Sequence, residues 1–314
     1  MKLAVDRQVR RVSLCPACGG ADHAALGAYA EGFACEGPAG LVHPAYEIHV
    51  CQHCGLYFKS DVLSGEALSA YYAALDFAPF NLPFEFPTDR ALLAQLRKLP
   101  EGSRVLDYGC STGRLLAALG GGYQRFGVEV NAEAARLAAA RGVTIVSDAE
   151  LDAGAMDAFD AVILTDVFEH LAAPTATLQR LARMLRPGGQ LLVVSGLADA
   201  IAPTALAAEH WYFRISGHLQ MLSLKHLHWL AAALGLSVSA AIRMSHYQRN
   251  APRFAKQAAQ AWLYRVVKLT PRSPTAALLR RLPVLRRAAS WRCLPATDQF
   301  SDHVVAVLTK PEAG

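Results

Sequence analysis

The 314 residues carry 31 Lys or Arg against 26 Asp or Glu, a formal net charge of +5, and a hydrophobic fraction of 53%. A chain of this length buries a substantial core without disulfides, and no stretch offers the roughly 18 uninterrupted apolar residues of a membrane span; a disulfide-stapled miniprotein and a membrane-spanning protein are both excluded. The charge is uneven: residues 249–297 hold eleven Lys or Arg and no Asp or Glu, which leaves the remainder at −6, so any contact with a polyanion belongs to that segment.

The chain opens with Asp6, Arg7, Arg10 and Arg11 where a secretory signal would need an apolar run, and the expected location is cytoplasmic. Four of the seven cysteines form two C-x-x-C pairs, Cys15-Pro-Ala-Cys18-Gly19 and Cys51-Gln-His-Cys54-Gly55. In a reducing compartment this spacing is that of metal ligands ahead of a redox dithiol. Two thiolates flank each turn, and the following Gly permits the close approach of a zinc knuckle. Cys15, Cys18, Cys51 and Cys54 would close a tetrahedral, structural Zn2+ site, with Cys35, His43, His49 and His53 as bystanders. Strands are expected at Tyr46–Val50 and Leu56–Phe58, so residues 1–60 read as a zinc-ribbon module. A helical connector follows over 61–102, whose aromatics Tyr71, Tyr72, Phe77, Phe80, Phe84 and Phe86 form part of a cleft or lid.

From Ser103 short apolar runs alternate with amphipathic stretches, the order of repeated β-α units around a mostly parallel sheet. Arg104-Val-Leu-Asp107-Tyr-Gly109-Cys-Ser-Thr-Gly113 reads as a strand, a glycine-bearing turn and a helix start, where a ligand can meet helix N-terminal N–H groups. The next strand ends in Glu129, about twenty residues on, where a carboxylate can accept both hydroxyls of a ribose. A helix from Ala132 to Arg141 and a strand at Val143–Val146 lead to Asp148 and Ala149, with Asp148 a candidate acceptor for an adenine amino group. A fourth strand, Asp160–Leu164, opens into Asp166-Val167-Phe-Glu-His170; the following helix stops at Arg186-Pro-Gly-Gly189 before strand Gln190–Val194. A nicotinamide dehydrogenase would want G-x-G-x-x-G, which this loop lacks.

Over about residues 100–245 these motifs resemble the class I methyltransferases: the acidic first loop, the acid after the second strand, D-x-x-E-H at 166–170 and L-R-P-G-G at 185–189. The resemblance implies S-adenosyl-L-methionine as cofactor, with Asp107, Gly109, Cys110 and Gly113 around its methionine part, Glu129 and Val130 at its ribose, and Asp148, Ala149, Asp166 and Val167 completing the site. It also implies an α/β, Rossmann-like sheet with helices on both faces, the zinc ribbon in front, and an antiparallel last strand, His303–Leu308, after a helical insertion at 248–299 within the 103–314 domain. Ser111 stands where the family commonly has its middle loop glycine, which predicts altered loop contacts.

Ser223 is expected to cap a helix reaching Leu234, followed by a strand at 236–242. Among the histidines near the active edge, His218 and His170 are the candidate general bases, because an imidazole titrates near neutrality; His226 and His228 read as structural. A zinc ribbon ahead of this core is similar to sugar C-methyltransferases, but their Tyr-x-Glu-His motif is here Ile215-Ser-Gly-His218, so O-methylation of a sugar or related small metabolite is the expectation. The basic 249–297 segment reads as a helical lid, or as a contact with an anionic membrane surface or lipid-linked substrate. An RNA methyltransferase that uses ribbon and insertion to hold RNA is the alternative, disfavoured by the acidic body of the chain and the missing N/D-P-P-aromatic motif.

Overall fold

The computed structural model describes residues 8–29, 44–73, 86–154, 157–200, 207–269, 274–275 and 299–312. Its centre is a seven-stranded sheet built from β6 (Arg104–Tyr108), β7 (Gln124–Val128), β8 (Thr144–Ile145), β9 (Phe159–Thr165), β10 (Leu185–Gly196), β12 (Ser237–Met244) and β13 (His303–Thr309). The spatial order is β12-β13-β10-β9-β6-β7-β8, with every pair from β10 to β8 parallel and β13 antiparallel to both neighbours. Reversal of strand order beside β6 opens a crevice at the carboxyl ends, where ligands of open α/β sheets bind.

Local sequence explains the elements. β9 reads Phe-Asp-Ala-Val-Ile-Leu-Thr and is buried along almost its whole length, as a central parallel strand covered on both faces must be. Asn131 caps α4 (Ala132–Ala140) by accepting from the N–H groups of Glu133 and Ala134, and Ser223 caps α7 (Leu224–Ala233) by accepting from His226 N–H. Pro174 opens α6 (Pro174–Met184), where its missing N–H costs nothing. The Arg-Pro-Gly-Gly segment does more than end that helix: it lies inside β10 as an irregularity that shifts the register with β9 between Leu185 and Gln190, with Gly188 at φ 74°.

The N-terminal strands β2 (His23–Tyr29), β3 (Tyr46–Cys51) and β4 (Tyr57–Lys59) form a second, antiparallel sheet completed by β11 (Gln220–Met221), two residues from beyond the fifth parallel strand. β1 (Val9–Arg11) pairs with β5 (Asp61–Leu63), which leads into α1 (Gly65–Ala73) and, further on, α2 (Pro87–Leu96). Of the basic segment, α8 (Ala251–Leu269) is described; Gln257, Ala261, Tyr264 and Val267 make a buried stripe, while Trp262 and Phe254 are exposed. Cys35, His43, Phe77, Phe80, Phe84 and residues 276–298 lie outside the described residues.

Candidate active site

β6 delivers Asp107 to the carboxyl edge, and Gly109, at φ 87°, turns the chain. A Cβ on Gly109 would lie 2.5 Å from Val167 Cγ2, so glycine lets the first loop run against the loop after β9. Gly113, at φ 72°, precedes α3 (Arg114–Leu119); a Cβ there would meet the main chain of Ala138 at 2.9 Å. Between them Ser111 adopts φ 49°, the left-handed region that a glycine occupies without cost, and its N–H donates to Glu129 Oε2 at 2.9 Å, a main-chain bond that a glycine would make equally. Asn131 N–H donates to the other oxygen at 2.8 Å, so two main-chain donors fix the Glu129 carboxylate while each oxygen keeps a lone pair for a hydroxyl. Cys110 is buried beneath the loop, and the neighbouring Val130 is 78% exposed, an apolar surface beside the acid.

Asp107 is buried and its Oδ1 has no hydrogen-bond partner among the described residues. Burial first, then the charges of Glu129 and Asp89, push its carboxyl up to about 7, against the pull of Arg114. An unmade bond of this kind costs about 1–3 kcal/mol, and a cationic N–H donor from a ligand would recover it. Asp148 and Ala149 open α5 (Asp148–Gly154) at the surface. Asp148 is ion-paired with Arg180, which also bonds Asp152 and the Tyr108 hydroxyl, each at 3.0 Å; one oxygen of that carboxylate is therefore already engaged.

After β9 the chain passes through Asp166, at φ 53°, and Val167 into a 3-10 turn, Phe168–His170. A non-glycine residue held there stores strain of the kind that collects at functional sites. The structure brings both predicted histidines together: the rings of His170 and His218 lie 4.7 Å apart. His170 Nδ1 faces the Gly217 carbonyl at 2.9 Å, which puts the proton on Nδ1 and leaves Nε2 as the acceptor. Nδ1 of buried His218 has no partner among the described residues, and burial together with nearby His170 and Lys59 pushes its pKa well below the usual value, so it stands unprotonated and is a weaker base than a free imidazole. Buried Glu169, whose Oε2 accepts from Ser195 Oγ at 3.0 Å, completes a group in which one ligand-type atom of each residue lies within 4.8 Å of the others. Tyr72 of the connector stands edge-on to His170, and Phe86 stacks on His246 at 4.0 Å. His226 is buried in α7 with Nδ1 3.3 Å from the Cys54 carbonyl, the structural role expected of it.

Sequence reasoning missed several residues of this edge. Asp89, in α2, accepts from Arg114 at 2.7 Å and faces Asp107. His246 and His303 flank the Asp166 carboxylate, each Nε2 being 4.0 Å from one of its oxygens. A signal for them existed. If the last strand runs antiparallel, its first residue lies at the carboxyl edge, and the register pairs Met244 with His303.

The four knuckle cysteines converge as the spacing predicts. Cys15 and Cys54 Sγ are 3.5 Å apart, as are Cys18 and Cys51 Sγ, and all four sulfurs lie within 4.8 Å of one another. A disulfide needs about 2.05 Å, whereas two sulfurs bound at about 2.3 Å to one tetrahedral ion stand roughly 3.8 Å apart; the cluster has the dimensions of a metal site. A hydrogen bond from Cys54 pushes the Cys15 thiol down from its ordinary value, which favours the thiolate form a metal would need.

A family profile described as a methyltransferase domain matches residues 85–241, half of the chain. Among curated relatives, a ubiquinone biosynthesis O-methyltransferase of Xanthomonas oryzae pv. oryzae is 33% identical over 120 residues, 35% of this chain and 50% of the relative. One of Cereibacter sphaeroides is 36% identical over 155 residues, 45% of this chain and 59% of that protein, so the chain spans about half the length of the curated relatives it matches. Among solved structures, a SAM-dependent methyltransferase from Geobacter sulfurreducens in complex with S-adenosyl-L-homocysteine aligns at a TM-score of 0.45 and 21% identity, covering 73% of this chain and 92% of that one. With the domain matched over half its length and with the strand order and loop geometry described above, the chain belongs to the class I methyltransferase family.

Proposed function

We propose that this chain transfers a methyl group from S-adenosyl-L-methionine to a hydroxyl of a small molecule, such as a sugar or related metabolite. The observation that carries the reading is the buried, unpartnered Asp107 Oδ1 beside a glycine-turned loop and the main-chain-clamped Glu129 carboxylate. Asp107 suits an ammonium group, Glu129 a pair of ribose hydroxyls, and exposed Val130 the face of an adenine. When bound, S-adenosyl-L-methionine supplies an electrophilic methyl on a sulfonium, so the protein's work is positioning the acceptor and taking its proton. His170 and His218 serve as the base: His170 keeps Nε2 free because Gly217 fixes its tautomer, and Glu169 stabilises the imidazolium once formed. The O-methyltransferase names of the relatives support oxygen over carbon as the acceptor. Zn2+ held by Cys15, Cys18, Cys51 and Cys54 would act as a cross-link with no open position, a structural role.

Calorimetric titration with S-adenosyl-L-methionine, S-adenosyl-L-homocysteine and NAD tests the cofactor, with micromolar binding of the first two and none of NAD expected. Radiolabelled methyl transfer to phenolic hydroxyls, nucleotide sugars and transcribed RNA then tests the acceptor. In whichever assay gives turnover, His170→Asn and His218→Asn are each expected to lower kcat about 10²–10⁴-fold at unchanged cofactor affinity. Binding of neither sulfur compound, or transfer to RNA alone, overturns the proposal.

A further inference from the structure

The Asp166 carboxylate sits between two imidazoles in a way that hydrogen bonding does not explain. His246 Nε2 is 4.0 Å from Oδ2 and His303 Nε2 is 4.0 Å from Oδ1, beyond hydrogen-bond range. Three ligand-type atoms, one from each residue, lie within 4.8 Å of one another. Two ligand bonds of about 2.1 Å meeting at 90–110° span about 3.0–3.4 Å, so an ion would draw in the 4.0 Å pairs by about 1 Å or less, and a pair at the 4.8 Å limit by up to about 1.8 Å. The Asp166 side chain is half-buried, and its N–H is anchored to the Val194 carbonyl at 2.9 Å independently of its carboxylate.

Both histidines are oriented from behind. His303 Nδ1 bonds Asp302 Oδ1 at 2.9 Å, and Trp211 Nε1 donates to the other oxygen of Asp302 at 3.2 Å. His246 Nδ1 bonds Thr88 Oγ1 at 3.0 Å, and its ring is stacked between Phe86 and His303. Each Nδ1 is thus committed to an outer partner, and each Nε2 lies 4.0 Å from an oxygen of the same carboxylate. That outer shell is what orients imidazole ligands on a metal.

We propose that Asp166, His246 and His303 form a second metal site, a two-histidine, one-carboxylate set for a divalent cation such as Mn2+ or Fe2+, leaving positions open to water or substrate. Its use rests on the methyl-transfer reading above: the cation holds the acceptor oxygen and lowers the pKa of its hydroxyl. The O–H proton then passes to the His170–His218 pair, the oxygen lone pair forms the bond to the methyl carbon, and the carbon–sulfur pair remains on sulfur.

The test is Mn2+ titration of the full, zinc-loaded chain, followed by loss of the free Mn2+ electron paramagnetic resonance signal. Mn2+ prefers oxygen and nitrogen donors and leaves a thiolate cluster alone. Wild type is expected to take up one Mn2+ per chain, with enhanced water-proton relaxation from the open positions. Asp166→Asn and His246→Gln are expected to weaken uptake by tenfold or more, and Thr88→Val, which touches only the outer shell, by about tenfold. Asn tolerates φ near 53°, so Asp166→Asn decides the matter if His246→Gln does not fold. No uptake by folded wild type, or equal uptake by wild type and Asp166→Asn, overturns the site. Cofactor titration of the same samples separates the two claims: Mn2+ uptake without cofactor binding sinks the methyl-transfer reading and leaves the site, whereas methyl transfer without Mn2+ uptake does the reverse.

Discussion

Asp107 carries a pH dependence whose sign is fixed by its surroundings. Glu129 after β7 and Asp89 on α2 face it as anions, Arg114 on α3 as a cation, and burial raises its carboxyl from the usual carboxylate range to about 7. A raised carboxyl favours the folded state while protonated; that contribution is complete below about pH 4 and is lost as pH climbs through about 7. A cationic ligand needs the ionised form. Its affinity is therefore expected to fall as pH drops from about 8 to about 6, by at most about tenfold per unit, with proton release on binding, and calorimetry in buffers of different ionisation enthalpy checks both. Asp107→Asn should bind weakly with a flat profile; a sloped profile in that variant would assign the proton elsewhere. Gly113 makes a purely steric prediction. With φ 72° and a Cβ that would press on Ala138 main chain at 2.9 Å, Gly113→Ala is expected to cost about 1–3 kcal/mol of stability with no ligand present, read as a lowered Tm.

At the scale of elements, one hydroxyl joins the two sheets. Ser223 Oγ accepts from His226 N–H at the start of α7 and donates to the Gly55 carbonyl at 2.7 Å, so the second cysteine knuckle is docked on the helix that the same serine caps. Ser223→Ala loses both bonds, with an expected cost of about 1–3 kcal/mol, and Ser223→Thr should retain most of it; urea unfolding of the pair measures the difference. The cap itself was legible, because Ser before an amphipathic run has one ordinary use. So were β6, β9 and β10, since a buried parallel strand reads as an apolar run closed by turn residues, whereas the antiparallel direction of the last strand came from the family resemblance. The docking was not. β11 is two residues long and pairs with β4 about 160 residues earlier in the chain, and nothing in the pattern of Gln220–Met221 marks a strand. The same limit hid His246 and His303: an insertion separates them in sequence, and only the β12–β13 register brings them to one carboxylate. Asp89 was invisible for a related reason, since α2 reads as a connector until its N-terminus is seen against Asp107.

For the whole molecule, the sharing of a sheet between the cysteine module and the catalytic half decides how the protein unfolds. Tyr29, Tyr46 and Ile48 from β2 and β3 pack in one cluster with Ala207, Tyr212, Phe213 and Met221. Tyr46 hydroxyl donates to Ala208 carbonyl at 2.8 Å, and buried Lys59 donates to Ile215 carbonyl at 2.9 Å. Tyr212 also receives the Gly196 N–H at 2.9 Å and lies 4.2 Å, ring to ring, from His218, so the packing under the cysteine module continues into the proposed base. The described residues 8–29 and 44–60 thus pack against the catalytic half as well as bearing the cysteine cluster, and the two halves should melt as one cooperative unit. Calorimetry of the full chain is expected to show a single transition, and stripping the proposed Zn2+ from the four cysteines should shift that whole transition down, because binding energy at such a site is folding energy. A chain starting at residue 61 should expose Tyr212, Phe213 and Met221 and fail to yield a soluble, cooperatively folded protein. Two separate transitions, with only the first moved by chelation, or a folded truncated chain that still binds cofactor, would show instead that the cysteine module is an appendage and that Tyr212 and His218 are held by the catalytic domain alone.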